Sequence, residues 1–195
     1  MEVLFPLVGF LAVLAVVLLV RKSHESRTRA ALGALAVQHG LHVTDDTGFL
    51  GFDVRAYGTL DGLEITAQPV RRRSGRRRHW FTRVSARFGR PVRARVDVRP
   101  RGLASYFASF AAAEVPFGGD FSLNSVVLSD DTALARAWLT DDVRAAFASF
   151  PKDAILRLEK NEVALEWRGH GTEDGLLSRA LDVVVVAGKA ARDAN

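Results

Sequence analysis

From Val3 to Val20 the chain reads VLFPLVGFLAVLAVVLLV, an apolar run of 18 residues without a charge. In a helix, at roughly 1.5 Å per residue, that run reaches about 27 Å, close to the hydrocarbon thickness of a bilayer. No polar residue breaks it, which argues against a buried globular helix. Pro6 falls in the first turn, where its missing N–H costs least. A cleaved secretory signal would open on Lys or Arg and close on a small-x-small site. Here Glu2 precedes the run, and Leu18, Leu19, Val20, Arg21 and Lys22 end it. The run therefore predicts one transmembrane anchor over residues 1–21. Arg21, Lys22, Arg27 and Arg29 follow it and no basic residue precedes it. The positive-inside rule then puts the N-terminus outside and the rest in the cytoplasm, as a single-pass protein of the cell membrane. The absence of cysteine agrees with that side.

Beyond the anchor, Leu32, Leu35 and Ala36 lie at helical spacing with Gly40 as the C-terminal cap, so residues 22–40 read as a juxtamembrane helix. Residues 41–195 read as a single α+β domain. Asp61-Gly62 marks a hairpin, with Leu60, Leu63 and Ile65 serving the core. HWFTRVSARF alternates, placing Trp80, Thr82, Val84, Ala86 and Phe88 inward. VRARVDV repeats the pattern with Val92, Ala94, Val96 and Val98 inward. LASYFASFAAA has a helical apolar face of Leu103, Phe107 and Phe110, and FSLNSVVL reads as a strand. Asp130 or Asp131 caps TALARAWL, and Thr140 caps DDVRAAFASF. ILRLEKNEVALEW is a second hairpin turning near Lys160-Asn161, and a helix starting near Thr172 closes the chain. The expected fold is thus a mixed, mainly antiparallel sheet with helices packed on one face, preceded by the transmembrane helix.

The net charge of +5 is uneven: residues 1–100 hold 17 Lys/Arg against 8 Asp/Glu, and residues 101–195 hold 10 against 14. RRRSGRRR, from Arg71 to Arg78, supplies six arginines: Arg71, Arg72, Arg73, Arg76, Arg77 and Arg78. One segment, not a generally basic protein, sets the pI, which argues against nucleic acid as the partner. Arg83, Arg87, Arg93 and Arg95 fall on the outward phase of the two alternating segments. These ten arginines are the candidate contact for anionic lipid headgroups or an acidic protein, because each guanidinium can fork two donors at phosphate or carboxylate oxygens.

No other pattern carries chemistry. His39 and His42 lie near Asp45 and Asp46, but Gly40 ends the helix between them, so they fix no metal geometry. Asp130-Asp131, Asp141-Asp142 and Glu173-Asp174 stand at helix starts, where carboxylates complement the helix dipole. No G-x-S-x-G, H-E-x-x-H, Walker loop or G-x-G-x-x-G occurs, so no catalytic residue, metal or cofactor is assigned. With 23 Arg against 4 Lys, the composition has a GC-rich bacterial character.

Between Asp120 and Ala190 the order of FSLNSVVL, SDD, Ala135 to Leu139, Pro151, LRLEKNEVALEW, Gly171 and LLSRALDVVVVA resembles uncharacterised membrane-anchored bacterial domains of unknown function. GTLDGLEI extends the resemblance. It implies an α+β domain on the cytoplasmic side and brings no catalytic residue or ligand. The function expected is a non-enzymatic binding or scaffold module at the inner face of a bacterial membrane, with the Arg-rich loop on lipid or an acidic partner. The alternatives are an accessory subunit of a membrane complex, recruited through its span, and third an enzyme of unknown type.

Overall fold

The computed structural model describes residues 4–46, 53–74, 77–101, 112–151, 153–169, 171 and 175–194. The chain runs α1 (Leu4–His39), β1 (His42–Asp46), β2 (Asp53–Leu60), β3 (Leu63–Ser74), β4 (Arg77–Arg87) and β5 (Val96–Pro100). It continues with β6 (Ala113–Glu114), α2 (Asp120–Asn124), β7 (Ser125–Ser129), α3 (Thr132–Trp138) and α4 (Asp141–Ala148). The hairpin β8 (Ile155–Glu159) and β9 (Glu162–Arg168) and the helix α5 (Leu176–Asp193) complete it.

The nine strands form one sheet in the order β1-β2-β3-β4-β9-β8-β5-β7-β6. Every pairing among the described residues is antiparallel, which corrects the expectation of a mixed sheet. The reason lies in how β5 is reached. After β4 the chain crosses the tip of the β8–β9 hairpin, with Phe88 N–H donating to the Asn161 carbonyl and Val92 N–H to that of Lys160, at 2.9 and 2.7 Å. β5 therefore lands beyond β8 and antiparallel to it, and β9 becomes the neighbour of β4. Residues 92–95, read as the start of an alternating segment, lie outside β5.

The turns follow local chemistry. Asp61 (φ 53°) and Gly62 (φ 77°) both take the left-handed region that a tight hairpin demands, and Lys160 (φ 56°) does so between β8 and β9. Asp131 accepts from Leu134 N–H at 2.9 Å to cap α3, and Thr140 accepts from Val143 N–H to cap α4. FSLNSVVL divides: its first residues turn as α2, and only Ser125 onward is strand. The helix expected over LASYFASFAAA lies outside the described residues but for Ala112 and Ala113, and Ala113 begins β6.

One face of the sheet is a continuous apolar ladder. Ile65 faces Ala86, Ala67 faces Val84, Val84 faces Leu165, and Leu165 faces Leu156, all buried. Leu32, Leu35 and Ala36 of α1, Trp138, Val143 and Phe147 of α3 and α4, and Leu181, Val184 and Ala187 of α5 close over it in one cluster. Burying an aliphatic side chain of this size is worth about 1.5–3 kcal/mol, so this ladder is the main source of stability. Val183 to Val186, a strand-like run in isolation, is helical because Leu177, Leu181 and Val184 form a stripe on the sheet.

The transmembrane anchor is corrected. Among the described residues no helix is long and apolar enough to cross a membrane. The apolar run is not a free-standing span but the first part of α1, a single 36-residue helix whose Thr28–Ala36 stretch packs on the domain. Its apolar part runs on through Arg21 and Lys22 without a break. Without such a helix among the described residues, the positive-inside rule has nothing to orient, and the single-pass cell-membrane placement is not supported. Gly40, at φ 66°, ends α1, and Leu41 N–H returns to the Ala36 carbonyl at 2.9 Å.

Candidate functional site

The polar face of the sheet and the far end of the β3–β4 hairpin hold the arginines singled out in the sequence. β3 pairs with β2 only as far as Ala67, and β4 pairs with β9 only from Phe81. Gln68–Ser74 and Arg77–Trp80 thus run on as a two-stranded ribbon beyond the sheet, with a backbone bond from Gly169 N–H to the Trp80 carbonyl tying it back. The register sets Arg71 opposite Trp80, Arg72 opposite His79, Arg73 opposite Arg78, and Ser74 opposite Arg77. Strand alternation then gives one ribbon face Arg71 and Trp80, and the other Arg72 and His79. Arg73 and Arg78 are like charges directly opposed, an arrangement that costs stability by itself. Arg76 lies outside the described residues.

Two clusters at the base neutralise other candidates. Glu166 of β9 clamps Arg72 with two bonds of 2.5 and 2.6 Å to its carboxylate oxygens. That hydrogen bond raises the Arg72 guanidinium above its ordinary value against the lowering effect of burial. Arg83 reaches Glu162 at 2.8 Å and Glu166 at 3.8 Å. Arg71 leans its guanidinium 5.9 Å from the Trp80 ring centroid, a cation–π contact. Arg168 meets His79 Nδ1 at 3.1 Å. Arg87 is exposed at the end of β4.

The second cluster lies on β8 and β5, two and three strands away from β4. Asp97, fully buried, takes Arg95 at 3.0 Å, Arg99 at 2.5 Å and Arg157 at 2.7 Å. Burial alone would push the Asp97 carboxyl up, but hydrogen bonds from Arg95, Arg157 and Arg99 outweigh it and hold the carboxyl below the ordinary carboxylate range. Arg95 N–H also donates to Asp130 at 2.9 Å. Arg93 is exposed in the link before β5. The arginines from β4 and from residues 93–95 therefore do not merge with the loop into one basic surface, because β9 and β8 stand between them.

Glu162, Glu166 and Arg157 were not singled out in the sequence. The signal was present: with Val163, Leu165 and Trp167 inward, the intervening glutamates must face outward, as complements to an arginine-bearing strand. Among the described residues no group of three His, Cys, Asp or Glu is placed to hold a metal ion.

No protein-family model matches this sequence, and no curated protein matches it. A solved structure does. The crystal structure of the mycobacterial trehalose monomycolate transport factor A, TtfA, aligns over 87% of this chain and 94% of that one, with a TM-score of 0.60. The likeness is one of fold. At 14% identity it carries the sheet and helices across and leaves the site to be read from this chain's own residues.

Proposed function

We propose that the chain is a binding module without catalytic chemistry, whose Arg-rich ribbon receives an acidic segment of a partner protein. The observation that carries this reading is the ribbon's register: arginines on both faces of a projecting two-stranded arm, with Arg73 directly opposite Arg78. Repulsion within such an arm is relieved by an external anion. A flat anionic lipid surface reaches one face of a ribbon, whereas an extended acidic chain can follow its edge and reach both. The base of the arm uses the same chemistry, since Glu166 already holds Arg72 in two-pronged fashion.

The test is fluorescence anisotropy of a labelled oligoglutamate peptide with the full chain, against a variant carrying Arg71→Ser, Arg73→Ser, Arg77→Ser and Arg78→Ser. The reading expects saturable binding that weakens with salt and falls about tenfold or more in the variant, equivalent to about 1.4 kcal/mol or more. Equal binding by both proteins, or binding only to anionic vesicles in a parallel flotation arm, contradicts it.

A further inference from the structure

The direction of the backbone groups along the ribbon is fixed by Trp80. Its carbonyl accepts from Gly169 N–H at 3.0 Å, on the β9 side of β4. Arg71 stands directly opposite Trp80. In an antiparallel pair, two opposed residues either exchange both backbone bonds or turn both away. The Arg71 N–H and C=O therefore point away from β4. Alternation puts Ala67, Pro69 and Arg73 in the same phase, and turns Val70 and Arg72 toward β4.

That phase explains where β2 stops. The β2–β3 ladder closes at Ala56–Ala67, while Asp53–Arg55 of β2 remain paired with β1. The next outward position of β3 is Pro69, which brings no N–H to a neighbour. Proline costs the ribbon itself nothing there, because the missing donor faces away from β4. Beyond it, among the described residues, no strand pairs with the outer edge of β3. The Arg71 side chain is exposed, and its N–H has no hydrogen-bond partner among the described residues.

An unpaired strand edge is a template for an extended chain, and charge selects which one. Arg71, Arg72 and Arg73 follow one another along this edge, with Arg77 and Arg78 on the paired strand. A second copy of the same edge would set arginine against arginine, which disfavours self-pairing. Arg72 already holds Glu166, whereas the Arg71 guanidinium rests on the Trp80 ring.

We infer that the acidic segment binds by adding to this edge as a further strand, its backbone bonding to the N–H and C=O groups of Arg71 and Arg73 while its carboxylates neutralise the arm. The inference rests on the acidic-partner reading and gives that reading its geometry.

The test is residue-resolved amide exchange by NMR of the full chain, alone and with saturating oligoglutamate, beside anisotropy of the labelled peptide. In the free chain the Val70 and Arg72 amides, bonded to β4, exchange slowly, and those of Arg71 and Arg73 exchange fast. Bound peptide slows Arg71 and Arg73 about tenfold or more and leaves Val70 and Arg72 unchanged. Arg71→Pro and Arg71→Ser remove the same charge, but only the proline removes the outward N–H. Arg71→Pro binds the peptide about tenfold more weakly than Arg71→Ser. Where Arg71→Pro does not fold, the wild-type exchange pattern decides alone. Peptide binding with the Arg71 and Arg73 amides still fast, or equal affinity of the two folded variants, overturns strand addition and leaves the acidic partner standing. Absence of saturable peptide binding overturns both.

Discussion

Asp97 and Arg157 stand directly opposite each other on β5 and β8, and their side chains meet at 2.7 Å on a buried patch of the sheet's polar face. Arg95 and Arg99 complete the shell around the same carboxylate. Removing the charge leaves three guanidiniums gathered around a neutral amide. Asp97→Asn is expected to lower stability by about 3–5 kcal/mol at neutral pH, measured by urea unfolding.

The same carboxyl gives a pH signature. Its folded pKa is depressed, so its stabilisation is fully present above the unfolded value of about 4 and is lost as pH falls through the folded value. Wild type should therefore lose stability below about pH 4, while Asp97→Asn loses less over the same interval. Parallel acid curves for the two proteins would count against the cluster's role.

Trp138 joins α3 to α5 through its indole N–H, which donates to the Ala187 carbonyl at 2.9 Å in the buried core. Trp138→Phe removes that donor and leaves the carbonyl in an apolar setting. The expected loss is about 1–3 kcal/mol, read as a lower thermal midpoint with an unchanged far-ultraviolet spectrum.

One residue on from that contact, Gly188 lets α5 settle on β3: a Cβ there would come within 2.9 Å of Leu63 Cδ1. Gly188→Val should cost about 1–3 kcal/mol through overpacking, whereas Gly33→Ala in α1, where the added carbon meets nothing within 4 Å, should not destabilise. Thermal unfolding of the two variants separates the cases.

Glu166→Gln probes the base of the ribbon. It releases Arg72, whose side chain is 49% exposed, while Arg83 keeps Glu162 at 2.8 Å, so solvent screening keeps the stability change to about 0–1 kcal/mol. The Arg72 guanidinium becomes available to an external anion, and oligoglutamate should bind several-fold more tightly than to wild type. Weaker binding would mean that the clamp shapes the ribbon and does not compete with its ligand.

How much of this could be read from the sequence depends on how local each feature is. The hairpin at Asp61-Gly62 and the turn at Lys160-Asn161 are set by neighbouring residues and stand where the turn chemistry puts them. The partner of β4 is not local. Alternation along HWFTRVSARF fixes which side chains face inward but leaves open which strand lies alongside, and β9 was reached only through the crossing at Asn161. That single topological fact separated Arg83 from Arg95 and gave each its own carboxylate. The apolar run of α1 misled for a related reason: composition counts residues, whereas the helix continues through Arg21 and Lys22 onto the domain.

The most direct test of the ribbon as the binding element is amide hydrogen exchange of the full chain with and without saturating oligoglutamate. The account predicts new protection concentrated in residues 68–83, with the β8–β9 turn and α5 unchanged. Protection located elsewhere, or none in 68–83 under saturating peptide, would contradict it.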